Sequence, residues 1–133
     1  MIRALSMAAV AATAVVLSAA ASLADDALGD WRTQADDNGR YGIVRLAPCA
    51  GKICGTLVKS FDSAGRPFAS DRAGTVIVKN MSPNGGGAYS GGTIYAPDRD
   101  KTYRSKMQLS GNTLTVSGCV GPFCRSQTWS RAN

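Results

Sequence analysis

The sequence contains no glutamate and no histidine, so its only acidic side chains are nine aspartates. Histidine and glutamate are the side chains that most often serve as general acids, general bases and ligands of transition metals. Their absence argues against hydrolases and metalloenzymes, and it leaves the hydroxyl groups between Ser126 and Ser130 without a histidine to activate them. The sequence therefore predicts a protein that is not an enzyme, with no catalytic residue, no metal site and no cofactor.

Long apolar runs are absent as well, except at the N-terminus. Arg3 precedes an apolar stretch from Met7 through Leu17, which is followed by small residues that end in Ser22-Leu23-Ala24. This order is typical of a secretory signal peptide. We expect cleavage of residues 1–24, which leaves residues 25–133 as one domain in the periplasm, or secreted, and not as an integral membrane protein. A retained membrane-spanning helix is the alternative, since about 20 apolar residues suffice to cross a bilayer.

Basic residues outnumber acidic ones in the expected mature chain. Residues 25–133 hold fourteen lysines and arginines against the nine aspartates, a net charge of +5. Such a charge often indicates nucleic-acid binding, but export argues against it and the charges are scattered rather than clustered. We therefore expect no nucleic-acid partner. Anionic partners in an envelope are lipid headgroups, lipopolysaccharide or wall polymers, and a solvated surface is the simpler explanation of the charge.

After residue 25 the sequence is typical of short strands separated by turns. No stretch carries a sustained apolar repeat of 3.6 residues, and the frequent glycines disfavour helices. The predicted turns include Asn38-Gly39 and Pro83-Asn84-Gly85, and Asn-Gly tolerates the positive φ angles of tight hairpins. Eight β-rich runs are predicted, over Trp31–Gln34, Arg40–Ala47, Ile53–Ser60, Thr75–Met81, Gly87–Tyr95, Lys101–Leu109, Thr113–Cys119 and Arg125–Arg131.

Side chains alternate along these runs with a period of two. In Lys101–Leu109 the apolar side chains share one face with Ser105, and polar and charged side chains share the other. Gln127 and Trp129 likewise share a face. Eight such strands predict an all-β fold, a single small antiparallel up-and-down β-barrel, because closure removes unpaired strand edges. A two-sheet β-sandwich is the alternative.

The two ends of the domain support closure. Gly29-x-Trp31 opens the first run and Arg131 ends the last, so a closed barrel would bring Trp31 and Arg131 together. A guanidinium over an indole ring contributes about 0.5–2 kcal/mol. This arrangement resembles the calycin pattern of lipocalins and avidins.

A closer resemblance covers nearly the whole expected mature chain. The string Gly91-Gly92-Thr93-Ile94-Tyr95-Ala96-Pro97, followed by Lys101-Thr102-Tyr103, resembles the central motif of the bacterial exported family called domain of unknown function 2147. Further strings similar to that family are Gly29-x-Trp31, Cys54-Gly55-Thr56-Leu57, Gly118-Cys119 and Cys124-Arg125-Ser126-Gln127-Thr128-Trp129-Ser130-Arg131. The resemblance implies a small calycin-like barrel in the periplasm, with no established activity and no catalytic residue.

The chain departs from the family pattern in two places. The segment between Phe61 and Val76 lacks the asparagine-containing loop that the family leads one to expect. Asp100 stands where a turn glycine is usual. Both departures place in question any function carried by the long loop between Phe61 and Val76.

The four cysteines form two pairs with equal spacing, Cys49 with Cys54 and Cys119 with Cys124. An even number of cysteines in an exported chain predicts disulfides. We prefer the two local pairings because both intervening segments are predicted to be tight turns. Each short loop contributes about 2 kcal/mol, whereas a long Cys54 to Cys119 link would contribute about 4 kcal/mol, so chain entropy alone would favour the long link. A four-thiolate zinc site is the less favoured alternative.

Two functions from different classes remain open. An eight-stranded barrel is just wide enough to be filled by side chains or to hold one small ligand. If the protein is a binding protein, we expect a pocket for a small apolar or amphipathic ligand. We expect the lining of this pocket to be Tyr41, Tyr95, Tyr103 and Met107. In a structural or interaction protein of the envelope, the barrel is filled and its outer surface contacts another component. Asp98 and Asp100 flank Arg99 at a predicted hairpin tip, where turn formation explains them better than acid–base chemistry or calcium binding.

Overall fold

The computed structural model describes residues 25–132, and the predicted signal peptide lies outside the described residues. Every regular element in the described part is a β-strand, and no helix there is long and apolar enough to cross a membrane. The strands are β1 (Gly29–Arg32), β2 (Tyr41–Cys49), β3 (Lys52–Phe61), β4 (Pro67–Phe68), β5 (Val76–Gly85), β6 (Ala88–Ala96), β7 (Lys101–Ser110), β8 (Thr113–Val120) and β9 (Phe123–Arg131).

Eight of these strands form a closed antiparallel barrel. They are hydrogen-bonded in the order β1, β2, β3, β5, β6, β7, β8 and β9. The last strand returns to the first, with Trp31 opposite Arg131 and Arg32 opposite Ser130. The two-residue β4 only extends the edge of β3, where Phe68 lies opposite Ser60. The barrel predicted from the sequence is confirmed, and the β-sandwich alternative is wrong.

The eight barrel strands overlap the eight predicted runs, but β1 lies two residues earlier than the predicted Trp31–Gln34, and one predicted turn is misplaced. The sequence predicts a turn at Pro83-Asn84-Gly85, but β5 continues through Gly85 and the turn falls at residues 86–87. The pairing of β5 with β6 shifts between Pro83 and Gly85. A proline lacks the N–H that a regular ladder needs, and such an irregularity accommodates it inside a strand.

The inward face of the barrel carries the apolar core. Alternation places every second side chain of each strand inside, as predicted for Lys101–Leu109. A Cβ atom on Gly55 would lie 2.6 Å from Leu46 Cδ2 and 2.9 Å from Val44 Cγ1, so the close packing of β2 against β3 requires glycine there. The largest fully buried side chains are Trp31, Trp129, Leu46, Ile53, Met81, Leu114, Val44, Val78 and Val116.

The two ends of the barrel differ in their connections. We call one the closed end, where the N-terminal segment meets three tight turns, at residues 50–51, 86–87 and 111–112. We call the other the mouth, which carries the connections at residues 33–40, 62–75, 97–100 and 121–122. The structure pairs Cys49 with Cys54 at the closed end and Cys119 with Cys124 at the mouth. Each disulfide therefore ties together the two strands of one hairpin.

Candidate functional site

The closed end is sealed by residues 25–28, which precede β1. Ala27 and Trp31 are both fully buried there, and the Trp31 Nε1–H donates to the Ala27 carbonyl at 2.9 Å. The Tyr89 hydroxyl donates to Asp25 Oδ1 at 2.7 Å. Burial, followed by this hydrogen bond and the negative charge of Asp25, raises the pKa of Tyr89 well above its ordinary value. The segment thus forms a floor that is held by polar contacts as well as by apolar packing.

Arg131 binds this floor from the end of β9. Its Nη1 donates to the Leu28 carbonyl at 2.8 Å and its Nη2 donates to the Asp26 carbonyl at 2.7 Å. Its guanidinium carbon lies 4.1 Å from the centre of the Trp31 ring. The structure therefore brings together the two residues that the sequence predicted to meet at closure. One side chain joins the last strand, the first strand and the N-terminal segment.

The part of the barrel nearest the mouth is hollow. Two cavities occupy it, with volumes of about 420 Å³ and about 660 Å³. Ile94, Asp98 and Gln127 line both, so the cavities adjoin across these side chains. Sites for small molecules are typically about 300–1,000 Å³ in volume. Either cavity is large enough for a small ligand.

The smaller cavity, which we call cavity 1, has largely apolar walls from β6, β7, β8 and β9. Gly118 lies in this wall under close contact, because a Cβ atom there would lie 3.3 Å from Ile94 Cγ2 and 3.4 Å from Tyr103 Cβ. The apolar lining consists of Ile94, Ala96, Tyr103, Val116, Gly118, Val120 and Phe123. Such a wall favours an apolar or amphipathic occupant over a strongly hydrated one.

The larger cavity, which we call cavity 2, lies beneath the connections at the mouth. Tyr41 contributes to its wall and stacks on Phe61 with ring centres 5.0 Å apart. The guanidinium carbon of Arg32 lies 3.9 Å from the centre of the Tyr41 ring on β2. These two contacts hold the Tyr41 side chain in place.

Two matching loops support the rim of cavity 2. In the first, Asp36 Oδ1 accepts hydrogen bonds from the N–H groups of Asn38 and Arg40, both at 2.9 Å. In the second, Asp62 Oδ1 accepts from the N–H groups of Ala64 and Arg66, at 2.9 and 2.8 Å. Both loops have the sequence Asp-x-x-Gly-Arg, so the two turns share one sequence motif. An aspartate that binds its own loop in this way makes a stable turn, so the rim beside cavity 2 is ordered.

The charged side chains that line the two cavities lie near the mouth, and we call this part of the lining the rim. Arg99 and Asp98 border cavity 1 and form a long ion pair, with 4.0 Å between Arg99 Nε and Asp98 Oδ2. Arg125 also borders cavity 1 and makes no ion pair among residues 25–132. The charged residues at the rim of cavity 2 are Asp36, Arg40, Asp71, Arg72 and Asp98. An apolar interior below a charged rim suits a molecule that has an apolar body and a polar end.

The four residues predicted to line a pocket occupy different places. Tyr41 lines cavity 2 and Tyr103 lines cavity 1. Met107 instead lies in the core, 3% exposed and opposite Tyr89, and it is in neither lining. Tyr95 is in neither lining either, and its hydroxyl donates to Asp100 Oδ1 at 2.6 Å.

Two residues that line both cavities, Ile94 and Gln127, were not among the predicted lining residues. The signal for Gln127 was present in the sequence, because alternation places it on the inward face with Trp129. A polar residue on an inward face near a strand end indicates a wet interior rather than a filled core. In the structure Gln127 Oε1 accepts from Trp129 Nε1 at 3.1 Å.

Asp98 and Asp100, beside the cavities, are engaged in local contacts. Within residues 25–132 no three cysteine, aspartate, glutamate or histidine side chains come close enough to hold a metal ion. Asp100 accepts the Tyr95 hydrogen bond, which raises the pKa of Tyr95, and Asp98 faces Arg99. These contacts agree with roles in the turn at residues 97–100.

The profile of a bacterial protein family matches residues 29–131, and its description reads "Uncharacterized protein conserved in bacteria (DUF2147)". The chain belongs to this family. The match covers the barrel from β1 through β9, so the strings that resembled DUF2147 in the sequence lie within one matched domain. No curated protein matches the sequence.

The DUF2147 barrel is also similar to a solved structure. Protein HP1028 from Helicobacter pylori, described as belonging to the lipocalin family, has a TM-score of 0.65 and 19% sequence identity to this chain. The match covers 80% of this chain and 82% of HP1028. The likeness shows a lipocalin-like fold. Two disulfides in such a small barrel favour an oxidising, non-cytoplasmic compartment.

Proposed function

We propose that this DUF2147 protein is an exported, non-catalytic binding protein of the bacterial periplasm. In this proposal its barrel holds one small apolar or amphipathic molecule at the mouth end. The observation that carries the proposal is the pair of adjoining cavities, about 420 and 660 Å³, below a charged rim. A barrel of eight strands is the size at which one small ligand can replace the inner side chains.

The contrast between the two ends supports this function. Near the closed end the interior is filled by large side chains such as Trp31, Met81 and Leu114, all with 0% exposure. Near the mouth, Gly118 and the polar Gln127 line the cavities, and no large apolar side chain of residues 25–132 fills them. A barrel that serves only as a rigid support would gain stability from filling that space, because unfilled apolar volume costs free energy. The hollow is therefore better explained by an occupant.

The proposed compartment and the absence of catalysis are supported by composition and by the disulfides. An N-terminal stretch typical of a signal peptide precedes the barrel. Both disulfides join neighbouring strands and form only where thiols are oxidised. The chain offers neither histidine nor glutamate as a general base. Binding without chemical change of the ligand fits these features.

A pair of tryptophan substitutions on β6 tests the proposal. Ile94 lines both cavities, whereas its neighbour Thr93 alternates to the outer face. Ile94→Trp should fill the hollow and abolish most binding of the neutral apolar dye N-phenyl-1-naphthylamine, measured by its fluorescence. Thr93→Trp adds the same side chain outside the barrel, so it should bind the dye like the wild type.

Native mass spectrometry of protein purified from a periplasmic extract provides the second measurement. Wild type should carry a small-molecule mass that is missing from Ile94→Trp. Equal dye binding by the two variants, together with an unliganded mass in repeated preparations, would contradict the binding function. A structural or interaction protein of the envelope would then be the better interpretation.

A further inference from the structure

The tip of the β8–β9 hairpin exposes two large apolar side chains at the mouth. Phe123 is 79% exposed and Val120 is 64% exposed, and they lie opposite each other across the hairpin. The other exposed large apolar side chains of the described residues, Phe68 and Val76, reach only 40% and 37%. An apolar pair this exposed, with Pro122 beside it in the turn, is typical of a contact surface.

The hairpin tip is also fixed in shape. The Cys119–Cys124 disulfide joins the two strands directly beneath Val120 and Phe123. Arg104 Nη2 donates to the Gly121 carbonyl at 2.8 Å, which ties the turn to β7. A rigid tip keeps its apolar side chains from folding back onto the barrel and loses little entropy when it binds.

Arginines surround this apolar tip. Arg99 and Arg125 border cavity 1 together with Phe123, and Arg104 contacts the turn itself. On the acidic side, Asp98 faces Arg99 and Asp100 accepts the Tyr95 hydrogen bond. Three arginines thus face two aspartates near the tip, whereas the connections at residues 33–40 and 62–75 carry four further aspartates. The excess of positive charge is therefore confined to the apolar tip.

We propose that the tip of the β8–β9 hairpin docks on an anionic phospholipid bilayer, with Phe123 and Val120 inserted among the lipid headgroups and acyl chains. Apolar insertion and attraction of arginines to anionic lipid act together in proteins that lie on membrane surfaces. An uncharged apolar partner would need only Phe123 and Val120. The arginines beside them add an attraction to an anionic lipid surface, so we choose the lipid surface as the partner. The docking does not depend on the barrel holding a ligand, although it would place the opening of cavity 1 against the bilayer.

Flotation with lipid vesicles tests the docking. Wild type should float with vesicles of phosphatidylcholine that contain phosphatidylglycerol, and much less with phosphatidylcholine alone. Phe123→Ser should lower the partition coefficient by about tenfold or more, since a phenylalanine side chain no longer leaves water. Arg125→Gln should lower the partition coefficient by about fivefold, and added salt should also lower it.

Three further variants serve as controls. Lys52→Gln removes a positive charge at the closed end, and Phe68→Ser removes a less exposed phenylalanine from the loop side of the mouth. Both should float like the wild type. Phe123→Trp should retain binding, and its fluorescence should shift to shorter wavelength when vesicles with phosphatidylglycerol are added. Thermal unfolding followed by circular dichroism confirms that each variant is folded.

The docking is wrong if wild type stays unbound with anionic vesicles, or if folded Phe123→Ser floats as wild type does. A photoreactive amino acid at position 123 gives the corresponding test in cells. Crosslinks to phospholipid support the docking, whereas one dominant protein adduct would overturn it. Dye binding in solution is measured without vesicles, so failure of the docking leaves the binding function standing, and the reverse also holds.

Discussion

Replacing Arg131 by alanine tests whether one side chain holds the closed end together. The substitution removes two hydrogen bonds to the carbonyls of Leu28 and Asp26 and the contact with the Trp31 ring. The ring contact contributes about 0.5–2 kcal/mol. Each hydrogen bond from a charged donor contributes about 1 kcal/mol at this half-buried position, below the upper values for charged pairs. We expect Arg131→Ala to lower the free energy of unfolding by about 3 kcal/mol.

A loss of that size is measurable by heat and by denaturant. In a domain of this size it corresponds to a fall in Tm of roughly 10–15 °C. The substitution should destabilise residues 25–28 more than the barrel as a whole, because this segment loses both of its hydrogen bonds to Arg131. Amide hydrogen exchange at Leu28, whose N–H donates to the Asp25 carbonyl at 3.1 Å, should accelerate before the barrel itself unfolds. Arg131→Lys should have an intermediate effect, since one ammonium group cannot bind both carbonyls and also cover the ring.

Arg45→Ala, on β2, is the matched control. Arg45 donates two hydrogen bonds to Asp30, at 2.8 and 3.1 Å, but its side chain is 59% exposed. Exposed ion pairs are weakened by solvent and salt. Arg131→Ala should therefore cost clearly more stability than Arg45→Ala, with faster exchange at Leu28 only in the former. Equal losses, or unchanged exchange at Leu28, would refute the assignment of Arg131 as the tether of the floor.

Three other substitutions have clear expected outcomes. Gly92→Ala should lower the free energy of unfolding by about 3 kcal/mol or prevent folding, because its Cβ would collide with the main-chain carbonyl of Lys79. Gly91 has a φ of +81° and open space around it, so Gly91→Ala should lower the free energy of unfolding by only about 1 kcal/mol. Urea titration measures both. The pKa of Tyr89 is raised in the folded protein, so stability is fully present below the unfolded pKa of about 10 and declines as the pH rises above it. Tyr89→Phe should lose about 1 kcal/mol at neutral pH by removing the hydrogen bond to Asp25, and urea titrations from neutral to alkaline pH should show a flatter alkaline decline than in wild type; an unchanged slope would contradict the buried, bonded tyrosine.

The architecture could be predicted because the information for it is local. Lys101–Leu109 alternates between polar and apolar side chains, and its inward face is the one that the sequence indicates. The hairpin turns keep successive strands adjacent, so closure required only that the last strand reach the first. The turn at Pro83 was misplaced because a proline normally ends a strand, whereas here the irregular pairing of β5 with β6 accommodates it.

The hollow could not be predicted from alternation. Alternation decides which side chains point inward, but the depth of a side chain along the barrel axis depends on hairpin register. Met107 points inward at the level of Tyr89 and Val116 and is buried in the core, whereas Tyr103, four residues earlier on the same strand, reaches the mouth. Ile94 and Tyr95 are adjacent and both largely apolar, so alternation alone does not show which of the two side chains faces the interior.

The two hairpin disulfides lie at opposite ends of the barrel and stabilise different features there. At the closed end, Cys49–Cys54 lies near a floor already bound through Trp31 and Arg131, so both devices oppose opening there. At the mouth, Cys119–Cys124 supports a tip whose apolar side chains remain in water. A molecule that enters the hollow must therefore pass the mouth, beside Phe123, because opening the floor would break hydrogen bonds and expose a buried indole. Any surface that covers the tip then also governs access to the interior, whether or not the two events are energetically coupled.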